Sequence, residues 1–123
     1  MATAKVKVYQ YAKCSTCRDA LAFLDKKGIP YEALPIVEQP PTVAELKTML
    51  ASVKERGGTF KKLFNTSGQL YREMGMSEKL AKMSEPEALA LLSKHGMLVK
   101  RPFLLSKNAN LVGFKADEWK KAL

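Results

Sequence analysis

Sulfur and histidine are scarce in this sequence, which has two cysteines and one histidine in 123 residues. Two cysteines cannot build a disulfide-stapled framework. A single C-x-x-C pair and the distant His95 give three candidate metal ligands, one short of a closed structural zinc site. No apolar run approaches the length that crosses a bilayer, and Met1-Ala2-Thr3-Ala4-Lys5 leads into a strand pattern without an apolar targeting core. No membrane association and a cytoplasmic location are the expectations that follow. Blocks of five like charges are also absent. The formal net charge of +9 lies partly in scattered pairs, Lys26-Lys27, Lys61-Lys62 and Lys120-Lys121, without regularly interleaved aromatics. A solvated basic surface is therefore expected rather than a direct nucleic-acid groove, although the excess charge still attracts an acidic protein face or a small oxyanion.

What is present is globular. At 46% apolar and 27% charged residues, disorder is excluded, and the length fits one domain spanning 1–123 around a single core. Both cysteines fall in Lys13-Cys14-Ser15-Thr16-Cys17-Arg18. Before them, Lys5-Val6-Lys7-Val8-Tyr9 alternates as a strand does, while Cys17, Leu21 and Leu24 follow at helical spacing. Cys14 is thus predicted where a strand turns into a helix. Unpaired backbone N–H groups and the helix dipole favour an anion there. A thiolate is the reactive form of cysteine, and lowering its pKa from ~8.5 to about 7 takes roughly 2 kcal/mol. A helix end supplies about 0.3–1 kcal/mol in ordinary geometry, so Lys13 and Arg18 are expected to contribute the remainder. The alternative is that both thiols are inert buried apolar groups. As a structural staple, a bridge across two intervening residues would constrain little of the unfolded chain.

Further along, Lys26-Lys27-Gly28 ends the first helix, and a second strand over 31–34 completes a right-handed βαβ unit with parallel strands. The cysteine pair then lies at the carboxyl edge of the first strand, where open α/β sheets bind ligands. After a linker at Val37-Glu38-Gln39-Pro40-Pro41, Thr42-x-x-Glu45 is a capping box that starts a helix with the apolar stripe Leu46, Met49, Leu50 and Val53, stopped by Gly57-Gly58. Short helices are predicted over 59–64 and 78–83. Ser84-x-x-Glu87 caps another helix, with His95 placed to cap carbonyls at its end before Gly96. These form a helical insertion over about 42–96 that covers one face of the sheet. Phe103-Leu104-Leu105 and Leu111-Val112-Gly113-Phe114 then make a hairpin around 106–110, and Trp119 anchors a helix over 116–123. The fold class is α/β, of order βαβ, helices, ββα, with a small mixed sheet. Arg101, in Lys100-Arg101-Pro102, offers a planar fork for an oxyanion or a thiolate, whereas Lys100 is a point charge. The loop entering the third strand and the start of the first helix share one end of the sheet. Arg101 is therefore expected within reach of the Cys14 sulfur.

With Cys14-Ser15-Thr16-Cys17-Arg18, Phe64-Asn65-Thr66-Ser67-Gly68, Lys100-Arg101-Pro102-Phe103 and Val112-Gly113-Phe114 in that order, the chain resembles the arsenate reductase and Spx family over essentially its whole length. The resemblance implies a thioredoxin-like fold. In arsenate reductases of this type the first cysteine attacks arsenate, glutathione with glutaredoxin resolves the adduct, and three arginines hold the oxyanion. Cys14 matches the cysteine and Arg101 the arginine before proline, at a bond for which the resemblance implies the cis form. The other two arginines fall near Asn65 and Gly113, so weak or absent arsenate reduction is expected. Cys17 resembles the Spx branch, in which the pair is a redox switch and the protein contacts RNA polymerase. The implied site has Cys14 as nucleophile, Cys17 as resolving thiol and Arg101 beside them, with Lys13, Arg18, Asn65 and Pro102 about the substrate. No bound cofactor or metal is implied. Glutathione with glutaredoxin, or thioredoxin, is the implied reductant, and a monomer is expected. Two functions remain open: a thiol–disulfide redox enzyme, and a redox-sensing regulator that binds RNA polymerase.

Overall fold

The computed structural model describes residues 6–107 and 109–123. Residues 1–5, which include the start of the expected first strand, and Asn108 in the expected hairpin turn lie outside that description. Strand β1 (Val6–Gln10), helix α1 (Ser15–Lys26) and strand β2 (Tyr31–Pro35) form the βαβ unit, with β1 and β2 parallel and Val6 opposite Tyr31. Next come α2 (Val43–Glu55), a 3₁₀ turn at Phe60–Leu63, α3 (Gln69–Glu73), α4 (Met76–Ala81), α5 (Glu85–Lys94) and a second 3₁₀ turn at Gly96–Leu98. The chain then returns as β3 (Phe103–Leu105) and β4 (Asn110–Val112) and ends in α6 (Ala116–Ala122). The sheet order is β2-β1-β3-β4, with β3 antiparallel to both β1 and β4.

The alternation of strand side chains separates two apolar layers. Val6 and Val8 of β1 and Leu104 of β3 pack with Ala20, Leu24, Leu111 and Trp119, under α1 and α6. Tyr9 and Phe103 point to the other face and meet Leu46, Met49, Leu92 and Leu98 from the helical insertion. Both predicted capping boxes are present, at Thr42 with Glu45 and at Ser84 with Glu87. At the end of α5 it is the backbone N–H of His95 that caps the carbonyls of Leu91 and Leu92. Helix α3 departs from the sequence reading: it is only five residues long, too short to show a period, and its Leu70 and Tyr71 pack against the core only partly buried. Strand β4 stops at Val112, earlier than expected, because Gly113 takes a left-handed φ of 75° that turns the chain out of the sheet.

Glu45 ties α2 to the central strand. Its carboxylate accepts hydrogen bonds from Lys7 Nζ at 2.7 Å, the Tyr9 hydroxyl at 2.7 Å and the Thr42 backbone N–H at 3.0 Å. Burial opposes the charge, but these bonds outweigh it and hold the Glu45 pKa below the ordinary carboxylate value. A depressed folded-state pKa stabilises fully above the unfolded value of ~4.3 and ceases to do so as pH falls through the folded value. Glu45→Gln is expected to cost about 1.5–3 kcal/mol at neutral pH, the range for hydrogen bonds to charged groups, and less in acid. Urea midpoints of the two proteins at pH 7 and pH 3 test this. An equal gap at both would remove the charge from the explanation.

Candidate functional site

Cys14 is the N-cap of α1, in extended conformation, and its side chain accepts the Cys17 backbone N–H at 3.4 Å. Its own N–H is fixed by the Tyr11 carbonyl at 3.0 Å. One helical turn later Cys17 is fully buried, and both thiols are free. A half-buried position 14 and a core-facing position 17 follow from helix geometry: residues three apart stack on one face, with the later one deeper against the sheet.

This arrangement splits the two thiols. Partial burial works against the Cys14 thiolate. The Cys17 thiol, the Cys17 N–H, the Arg101 charge and the Thr16 N–H outweigh it, so the Cys14 pKa lies below that of an ordinary thiol. Burial instead pushes Cys17 up to about 12, with Cys14 adding to the rise and the Tyr11 backbone and Arg101 opposing it. Lys13 and Arg18 do not fill the role the sequence suggested: both side chains are exposed, and neither lines the cleft beside Cys14 nor is among the groups that stabilise its thiolate. Lys13, ahead of the N-cap, and Arg18, on α1, both reach into solvent, where their charge is screened.

Cys14 opens on a cleft of about 630 Å³ that also takes in Asn65, Lys100, Arg101 and Gly113. The loop before β3 and the start of α1 thus meet as expected. The Arg101 guanidinium lies over the Tyr11 ring, 5.0 Å from its centroid, and donates to Met97 Sδ at 3.4 Å, which fixes the fork beside the thiol. The Arg101–Pro102 bond is cis. Pro102 is buried away from the cleft, and its carbonyl accepts the Gly113 N–H at 2.8 Å. Asn65 and Gly113, the positions matched to family arginines, both line the cleft without supplying a cation. A β-carbon at Gly113 would come within 2.8 Å of Lys100 Cε, so the lysine tail occupies the space a larger residue would need. Cations reach the cleft from elsewhere, at Arg56, Lys62 and Lys115. Nothing in the sequence marked these three, since Lys61-Lys62 looked like a solvated pair and Arg56 only precedes the Gly57-Gly58 helix stop. Among the described residues, no cluster of three or more His, Cys, Asp or Glu side chains is placed to hold a metal ion, and no helix is long and apolar enough to cross a membrane.

A free thiol at a strand-to-helix turn, paired with a buried one inside a βαβ, helices, ββα chain, has the architecture of the thioredoxin-like class. The chain belongs to the ArsC family, whose family model matches residues 9–122. It is 44% identical over 113 residues to the uncharacterized protein YusI of Bacillus subtilis, spanning 92% of this chain and 93% of that protein. It is 30% identical over 118 residues to the global transcriptional regulator Spx 2 of Bacillus anthracis, spanning 96% of this chain and 86% of the regulator. Among solved structures, an ArsC family related protein from Bacteroides fragilis superposes with a TM-score of 0.88 at 44% identity, covering 97% of this chain and 98% of that one.

Proposed function

We propose that this protein is a thiol–disulfide oxidoreductase of the cytoplasm in which Cys14 is the attacking thiolate and Cys17 the resolving thiol. The observation that carries the reading is the asymmetry of the pair: one sulfur with a lowered pKa at a cleft, the other buried and held up to about 12. Cys14 thiolate attacks one sulfur of a substrate disulfide, breaking its S–S bond, releasing the other sulfur as a thiolate and forming a mixed disulfide. With its negative charge gone, the Cys14 sulfur no longer raises the Cys17 pKa. Cys17 then gives up its proton, attacks Cys14 Sγ and releases the second fragment as a thiolate, leaving a Cys14–Cys17 disulfide. Arg101 supports the departing and attacking anions, and Asn65 offers an amide to a bound substrate. A thiol reductant such as glutaredoxin or thioredoxin restores the pair.

The 30% identity to an Spx regulator favours a second reading, in which the same disulfide is a sensor and the partner is RNA polymerase. Cys17→Ser separates the two, because it stops resolution and holds the first adduct. In lysate, this variant should retain the thiol fragment of its substrate on Cys14 through a bond that dithiothreitol breaks. Polymerase subunits retained instead would establish the regulator, and an empty trap would remove the enzyme. Arsenate turnover with glutathione and glutaredoxin should be weak or absent, because Asn65 and Gly113 stand where two guanidinium forks would hold the oxyanion. Robust turnover that vanishes in Cys14→Ser would overturn this.

A further inference from the structure

The cleft is electrically one-sided. Arg56, Lys62, Lys100, Arg101 and Lys115 line it against one carboxylate, Glu118. They arrive from the end of α2, the first 3₁₀ turn, the entry to β3 and the segment between β4 and α6, so the fold alone brings them together. Among the described residues the ion pairs are Lys7–Glu45 and Lys54–Glu85, and neither uses a cleft cation. Arg56 donates to the Asn110 carbonyl at 3.1 Å and Arg101 lies over Tyr11, but neither contact cancels charge, so the excess like charges repel one another in the free protein and are relieved when an anion enters. The kind of anion follows from the donors. Three of the five are lysines, point charges on flexible stems, and the uncharged polar lining is the Asn65 amide with the Thr16 and Ser67 hydroxyls. Such an array suits separate carboxylates spread over a larger molecule better than the crowded oxygens of a compact tetrahedral anion. A cleft of about 630 Å³ is within the range of about 300–1,000 Å³ that holds small-molecule ligands.

We propose that the substrate is a carboxylate-bearing disulfide of small-peptide size, seated by these cations with its S–S bond against Cys14. The proposal rests on the thiol-exchange reading above and names its substrate. Cys14 thiolate attacks one sulfur, forming the mixed disulfide and releasing one peptide thiolate. Cys17 loses its proton to solvent and attacks Cys14 Sγ, releasing the second. Two protein thiols are oxidised as one peptide disulfide is reduced to two thiols.

The test uses the whole protein, reduced, with the disulfides of acetylated Glu-Cys-Glu, Gln-Cys-Gln and Lys-Cys-Lys peptides. Each rate is divided by that disulfide's rate with 2-mercaptoethanol, which removes differences in leaving-group pKa. At low salt the glutamate peptide should react about tenfold or more faster than the glutamine peptide, within the range of electrostatic rate effects, and the lysine peptide slowest. In 1 M salt, where the Debye length is about 3 Å, the order should collapse. Removing charge with Lys62→Gln and Lys115→Gln together should bring the glutamate-to-glutamine ratio toward one. Equal or reversed rates at low salt would overturn the proposal while leaving thiol exchange intact, as would a preference that neither salt nor the variants diminish. Failure of all three peptides to react would remove the thiol-exchange reading, and this proposal with it.

Discussion

At pH 7, iodoacetamide should modify Cys14 at least about thirtyfold faster than Cys17. Cys17 is held up to about 12 and Cys14 lies below an ordinary thiol, so the Cys14 thiolate population exceeds that of Cys17 by at least about three decades. A less acidic thiol gives a more nucleophilic thiolate, and a Brønsted slope of about 0.4–0.5 returns up to about half of those decades. About thirtyfold therefore remains from ionisation, and the complete burial of Cys17 adds to it. Peptide mapping by mass spectrometry after timed alkylation reads the ratio directly. Comparable labelling of both residues would end the division of labour between them. Arg101→Ala should slow Cys14 alkylation at neutral pH by raising its pKa, and Lys100→Ala should do less, because Arg101 is among the groups that stabilise the thiolate and Lys100 is not. An unchanged profile in Arg101→Ala would leave the Cys17 and Thr16 hydrogen bonds as the whole cause.

The two thiols and Arg101 were legible in the sequence because each sits at a local signal: a strand pattern changing to a helical one, and a basic residue before proline at a strand entry. The parallel βαβ unit and the hairpin were legible for the same reason, through period-two alternation and glycine stops. Arg56, Lys62 and Lys115 were not. Arg56 and Lys62 flank a glycine turn while Lys115 lies far along the chain, and each alone is an ordinary surface cation; only the packing of α2 beside β4 and the turn at Gly113 puts them round one cleft. Lys13 and Arg18 show the converse. Sequence neighbours of a reactive sulfur need not be its spatial neighbours, because the first turn of a helix points its side chains in several directions while only its N–H groups converge on the cap. Pro102 likewise works through its backbone, by accepting the Gly113 N–H.

Replacing Trp119 with alanine should have the largest effect on stability, about 3–5 kcal/mol as for other buried large aromatics. Trp119 is fully buried, meets Phe114 edge-on at 4.9 Å and Phe23 at 6.2 Å, and donates its indole N–H to the Gly113 carbonyl at 3.1 Å. It therefore holds α6 against α1 and the same backbone that forms one wall of the cleft. A domain of this size has about 5–15 kcal/mol in total, so the alanine variant should be marginal. Trp119→Phe keeps most of the apolar contact and removes the donor, which should cost about 1–3 kcal/mol for an unsatisfied buried carbonyl. Urea unfolding followed by circular dichroism compares the three proteins without relying on the indole as a probe. An alanine variant within about 1 kcal/mol of the wild type would show that the packing of α6 is not needed for the fold. The phenylalanine variant also tests how far the wall reaches. The groups that lower the Cys14 pKa sit on α1 and at Arg101, not on α6. Its Cys14 alkylation rate should therefore stay near wild type while its preference for acidic peptides falls, because Lys115 and Glu118 are the cleft residues whose positions Trp119 governs.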